Sequence, residues 1–210
     1  MILHSIDTNP RKTPRQERSK QTVAVIMEAV AQVLIRHGYE NTTTARVAER
    51  AGTSVGSLYQ YFPNKEALVA ALVEEHADKI LVEMRIAIVE TQHVTLADGL
   101  RAMIRAAADA HLSNPALHKV LSEQVPHVGK HGLEMEVHRK VAGFVETLLH
   151  EHADEIMASI DFTVASVVIE TAVEALMHKA VIDRGELLAG SVFEDHALQL
   201  VTGYLGILNA

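Results

Sequence analysis

The stretch from Thr42 to Lys65, TTTARVAERAGTSVGSLYQYFPNK, constrains the fold most, because it reads as two short helices joined by a tight turn. The first opens near Thr43 or Thr44, whose hydroxyls can accept orphan N–H bonds of the first turn, and runs through Ala45, Val47, Ala48 and Arg50. Gly52 ends it, since glycine takes the left-handed conformation at little steric cost, and Thr53 or Ser54 caps the second helix. Ala48 is small where the helices would cross, while Val47, Val55, Leu58 and Phe62 fall on the spacing of a shared core. The rest of the second helix points outward. Gly56, Ser57, Gln60 and Tyr61, with Tyr59 at the edge, are small or hydrogen-bonding residues that suit base edges and phosphates, where a merely solvated helix would carry Glu and Lys.

Lys65 points the same way. A cation in the first turn of a helix opposes the helix dipole by roughly 0.3 to 1 kcal/mol, whereas a phosphate docked there would share the ammonium and the free N–H groups. Thr43, Thr44, Ala48, Glu49, Ala51, Gly52, Ser54, Gly56, Leu58, Tyr59, Phe62 and Lys65 to Leu68 together resemble the DNA-binding head of the tetracycline-repressor (TetR) family, over Glu17 to Ala77. Ala45 is smaller than the residue many members carry, and Gln60 replaces a frequent aromatic residue or histidine, so no operator sequence carries over. The resemblance implies an all-α homodimer, double-stranded operator DNA as partner, and a small-molecule effector that enters the body, shifts the long fourth helix and changes the spacing of the two heads. The expected DNA contacts are Arg15, Arg18, Thr44, Arg46, Ser54, Gly56, Ser57, Tyr59, Gln60, Tyr61 and Lys65. Ser57, Gln60 and Tyr61 would reach bases, Thr44, Tyr59 and Lys65 would hold phosphates, and Gly56 would permit close approach.

Composition agrees with this reading once charge is divided. The whole chain carries −8, but residues 1 to 66 hold nine Lys or Arg against six Asp or Glu, and residues 67 to 210 hold ten against twenty-one. A head of +3 on a body of −11 brings one surface to the phosphates and keeps the rest away. Scarce aromatics and abundant Ala, Val, Leu and Ile favour helices over sheet. The absence of cysteine excludes disulfides, thiol catalysis and cysteine-ligated zinc. No apolar run is long enough to span a membrane and the N-terminus has no apolar signal core, so a cytoplasmic protein is expected.

Along the chain, residues 1 to 16 read as a flexible basic arm, either a solubilising tail or an arm laid on DNA. Residues 17 to 77 form the expected head, with a scaffold helix from Glu17 closed by Gly38, and 78 to 210 the effector-binding and dimerisation body, with about nine helices in all. Asn64 caps a helix to about Glu90, and Thr95 with Asp98 boxes the start of another. Asn114 and Pro115 precede a short helix, HVGKHG is a loop, and Leu133 to Ile156 is helical. Residues 161 to 184 are apolar around most of the helix, and Ser191 with Glu194 makes a capping box for a last helix to 208. These two would form a four-helix dimer interface, the alternative being a monomer with a thick core.

Candidate ligand-contacting residues are Met84, Met103, Leu121, Phe144, Leu148 and Met157, with His111, Gln124 and His127 supplying polarity. Glu170, Glu174 and His178 fall on one stripe at i, i+4, i+8, as a structural seam, the rim of the dimer interface, or a ligand's polar pole. The thirteen histidines show no HExxH and no convergent set, so scattered surface histidines are expected rather than a metal site, and no cofactor is implied. The expectation is a ligand-responsive repressor. Its rivals are a ligandless architectural DNA binder and a helical enzyme using Glu170, Glu174 and His178.

Overall fold

The computed structural model describes residues 10, 17–90, 92, 94–125, 130–188 and 190–207, with the side chains of 130–134 and 183–186 excepted. Arg15, His127 and nearly all of the expected arm lie outside the described residues. Among those described the fold is all-α, with nine α-helices and no strand: α1 Glu17–Asn41, α2 Thr44–Arg50, α3 Val55–Tyr59, α4 Lys65–Arg85, α5 Leu96–Ser113, α6 Pro115–Gln124, α7 Lys130–Glu151, α8 Phe162–Arg184 and α9 Ser191–Leu205. A π-helical turn, Ile86–Glu90, follows α4 without a break. No described helix is long and apolar enough to cross a membrane.

The chain forms two compact units, Met1–His76 with Ala116–Leu133, and Ala77–Pro115 with Glu134–Ala210. The first is built on Ile26, Val30 and Leu34 of α1, Val47, Leu58 and Phe62 of the two short helices, and Leu68 of α4. Helix α6 adds Leu117, Val120 and Leu121 to this core, so it groups with the head's residues and not with the sequence that surrounds it. Gly38 does not end α1 outright. It breaks the helical path at φ 73°, ψ 171°, and the chain then makes one more turn to Asn41. The Gln124 side chain accepts the Tyr39 N–H at 3.3 Å at this break, and Thr42 donates its hydroxyl to the Gly38 carbonyl at 2.8 Å.

The second unit packs α5, α7, α8 and α9 around Leu100, Met103, Ile104, Leu148, Ile169 and Leu205, all essentially enclosed. The Thr95 and Asp98 box forms at the start of α5. Glu155 supplements it, accepting the Leu96 N–H on both carboxylate oxygens at 3.0 and 3.1 Å. That contact fixes a 3₁₀ turn, Ala153–Glu155, so α7 stops at Glu151 rather than Ile156. At its other end α7 already includes Lys130, which shortens the expected HVGKHG loop; residues 127–129 lie outside the described residues.

The expected Ser191 and Glu194 box does not form. Gly190 occupies the cap position without a side-chain hydrogen bond, and Glu194 instead accepts two bonds from the Arg105 guanidinium, at 2.9 and 3.3 Å. A paired, charge-assisted contact outweighs a single bond to a backbone N–H. Helix α9 ends at Leu205 on a left-handed Gly206, short of 208, and the Leu205 carbonyl accepts the Met157 N–H at 3.2 Å.

Candidate functional site

The helix-turn-helix forms from the local signals that its sequence carries. Thr43 caps α2, its hydroxyl accepting the Arg46 N–H at 3.2 Å. Gly52, at φ 63°, then closes the helix with two bonds, Gly52 N–H to Glu49 and Thr53 N–H to Ala48, the paired pattern of a left-handed helix stop. Ser54 caps α3 by accepting the Ser57 N–H at 3.0 Å. Val47, Ala48, Leu58 and Phe62 are buried, so both helices are seated on the core of the first unit. Val55 is the correction: it is 38% exposed. It is the first residue of a helix of only five, of which Leu58 is the buried one.

The exposed face carries Gly56, Tyr59 and Gln60, with Ser57 and Tyr61 half-buried. Ser57 is tied to the cap, its hydroxyl 2.8 Å from that of Ser54, and the Tyr61 ring packs against the core. Gln60 is therefore the freest long side chain on the face. Thr44 and Tyr59 bring their hydroxyls to 3.4 Å, which joins the start of α2 to the end of α3. Arg46 and Arg18 are exposed, and Arg46 already donates to the Asn41 carbonyl at 2.6 Å. Gly56 has only the Ser54 hydroxyl near its open side, at 3.8 Å from where a Cβ would stand. An uncovered backbone at the centre of the face lets a flat or charged surface come close.

Lys65 has a structural partner that its sequence position does not disclose. Its ammonium donates to the Tyr39 carbonyl at 3.3 Å and lies 4.2 Å from the centre of the Tyr39 ring. The cation at the start of α4 is thus offset by a carbonyl near the end of α1 and a ring face, before any phosphate arrives. Burial, with Glu66 and Glu40 nearby, raises the Tyr39 hydroxyl above its ordinary value and keeps the ring neutral.

The expected ligand-contacting residues do not form one set. Met84, Met103 and Leu148 are enclosed in the second unit's core with Phe144 packed against it, whereas Leu121 belongs to the first unit's core and Gln124 is committed to Tyr39. Met157 is 51% exposed and closes over Gly206.

The acidic stripe of α8 is paired with imidazoles from other helices. Glu170, 7% exposed, meets His138 of α7, and Glu174 meets the buried His111 of α5 at 3.4 Å. His111 donates through Nδ1 to the Ala107 carbonyl at 2.7 Å. Burial lowers its pKa, but the Glu174 contact and charge together with the Ala107 bond outweigh that, and the group ends above its ordinary value. His152 likewise pairs with Glu155 at 2.8 Å. These three histidines each have an acidic partner, and His138 keeps about half of its side chain open to solvent. Sequence reasoning found the stripe but not His138 or the role of His111, because their partners are remote along the chain.

The family model for "Bacterial regulatory proteins, tetR family" matches residues 26–72, and that for "Tetracyclin repressor-like, C-terminal domain" matches residues 95–205. The second alone covers more than half of the chain, and the chain belongs to the TetR family of DNA-binding transcriptional regulators. Among solved structures it is similar to the fatty acid degradation regulator FadR from Bacillus halodurans, with TM-score 0.72 and 19% identity over 90% of this chain and 96% of that one. It is also similar to FadR from Bacillus subtilis in complex with stearoyl-CoA, with TM-score 0.70 and 21% identity over 85% and 96%. Among curated proteins, the nucleoid occlusion factor SlmA of Haemophilus influenzae is 33% identical over 116 residues, 53% of this chain and 51% of that protein. The chain spans about half the length of that relative and less of some others.

Proposed function

We propose that this chain is a ligand-responsive repressor that binds a palindromic operator as a homodimer in the cytoplasm. The observation that carries the reading is the helix-turn-helix face, where buried Leu58 and Phe62 anchor a helix whose Gly56, Tyr59 and Gln60 stand open. In this reading Gln60 and Ser57 read bases with the edge of Tyr61, while Thr44, Tyr59, Arg46, Arg18 and Lys65 hold phosphates. The head is residues 17–77, and Arg15 joins the contacts from the arm that precedes it.

Dimerisation is assigned to α8 and α9. Val164, Val167 and Val168 are 56, 54 and 42% exposed, and Leu200 of α9 is 53% exposed. A run of open valines along one face of a helix is what a second copy of the same face would cover. Effector binding is assigned to the body. FadR from Bacillus subtilis, of like fold, was solved with stearoyl-CoA, and the apolar second unit here carries the half-buried Phe144 against its core and an acid–imidazole pair between α5 and α8. An effector that lowers DNA affinity must bind the DNA-incompetent state more tightly, since equal affinity for both states shifts nothing.

The test is selection of bound duplexes from a random pool by the purified protein at stated salt, with the stoichiometry of the complex measured by sedimentation. A palindromic consensus holding two chains or a multiple of two is expected. No enrichment over random DNA, or an asymmetric site holding one chain, would overturn the reading.

A further inference from the structure

Within the first compact unit, α1, α4 and α6 meet at the break in α1. At Gly38 ψ is 171°, roughly 150° from the helical value near −42°, so the peptide that follows no longer aims its N–H along the helix axis. That N–H belongs to Tyr39, and the Gln124 Oε1 of α6 accepts it at 3.3 Å. The missing side chain of Gly38 makes the approach possible, because a Cβ would stand 2.6 Å from the same oxygen. Leu117, Val120 and Leu121 bury the apolar face of α6 in the unit's core, so Gln124, itself exposed, is carried on a seated helix.

The other end of the Tyr39 residue holds a cation. Its carbonyl accepts the Thr42 N–H at 3.2 Å and the Lys65 ammonium at 3.3 Å, and its ring centre lies 4.2 Å from that ammonium. Tyr39 is buried, so its carbonyl and ring follow the backbone of the turn. An ammonium has three donors, and one given to Tyr39 leaves two for a phosphate. A lysine already held in one place loses less rotamer freedom on docking than one left free.

We propose, on the reading of Lys65 as a phosphate contact, that Gln124 is a positioning residue for DNA binding: by fixing the Tyr39 peptide from α6, it sets where the Tyr39 carbonyl and ring hold the Lys65 ammonium. Gln124 touches no DNA in this assignment. Without it the Lys65 charge remains but is unfastened, so every sequence is bound more weakly and base preference is unchanged.

The test is a double-mutant cycle on the full chain, read as affinity for random duplex at low, stated salt, which needs no operator. Gln124→Met keeps the length of the side chain and removes the acceptor, and Gln124→Ala serves as a second form. Circular dichroism fixes a temperature at which every variant is folded. In the wild-type background either change should weaken binding by about three-fold or more, and in the Lys65→Ala background by less than about 1.5-fold. In the Arg46→Ala background the loss should remain, because that guanidinium donates to the Asn41 carbonyl and not to Tyr39. A merely structural Gln124 would give the same loss in the wild-type and Lys65→Ala backgrounds. That result would overturn the proposal, as would no loss in either, or a loss that Arg46→Ala also cancels. A Lys65→Ala single variant that binds like the wild type would remove the phosphate contact and the proposal with it, a failure told from the others because Gln124 is intact in that variant.

Discussion

At Gly38 the backbone takes φ 73° with ψ 171°, a region that side-chain-bearing residues almost never adopt, and a Cβ there would stand 2.6 Å from the Gln124 Oε1. Gly38→Ala is expected to destabilise the protein by about 2 kcal/mol, read from the urea or thermal midpoint. Gln124→Ala removes only the bond to Tyr39 and is expected to cost about 1 kcal/mol. The glycine was legible in the sequence as a break; Gln124, eighty-five residues beyond the Tyr39 N–H that it accepts, was not. Gln60 and Lys65 divide the DNA contacts by kind. Gln60→Ala should relax base preference with little change in affinity for random DNA, because the side chain is exposed and supports nothing. Lys65→Ala should weaken all sequences together and lower the salt slope by about one. Equal losses on cognate and random duplexes from both variants would contradict these roles. Tyr61 is a poorer probe than its sequence position suggests, since its ring also packs on the core.

Helix α3 has five residues and one cap, so its persistence depends on Ser54 and on the burial of Leu58. Ser54→Ala should destabilise the unit by about 1 kcal/mol and weaken operator binding with it. Ser54→Asp separates the two effects: the carboxylate can still accept the Ser57 N–H, so the melting temperature should hold while repulsion of phosphate lowers affinity. A tight Ser54→Asp complex would show that this end of α3 does not face the duplex. Elsewhere the caps formed where the partner lay three residues on, as at Thr95 and Asp98. The Ser191 and Glu194 box failed because Arg105, on another helix, offered Glu194 a stronger bond.

For the whole molecule, the open faces of α8 and α9 set the expected assembly. Val167→Asp together with Leu200→Asp places charge on both faces without touching the buried Ile169 or Val201. In the dimer reading the double variant should sediment as a folded monomer and lose affinity for a two-fold operator, while its helical circular dichroism is retained. A wild-type protein that already sediments as a monomer at operator-binding concentrations would remove α8 and α9 from that role. The division of charge belongs to the same scale: the head's +3 is set apart along the sequence from the body's −11, and DNA affinity should fall steeply with salt.

The sequence by itself determined the helical class, the helix-turn-helix and its caps, the apolar character of α8 and the acidic stripe along it, because each of these depends on residues within a few positions of one another. Tertiary structure decided what those patterns meet. It brought Gln124 to the break at Gly38, Tyr39 to Lys65, Arg105 to Glu194, and His138 and His111 to the carboxylates of α8. It also gave α6 to the core of the first unit. Helical periodicity states which face of a helix is apolar or charged, but not which distant side chain packs on that face, and in this protein those distant partners set the chemistry of the seam.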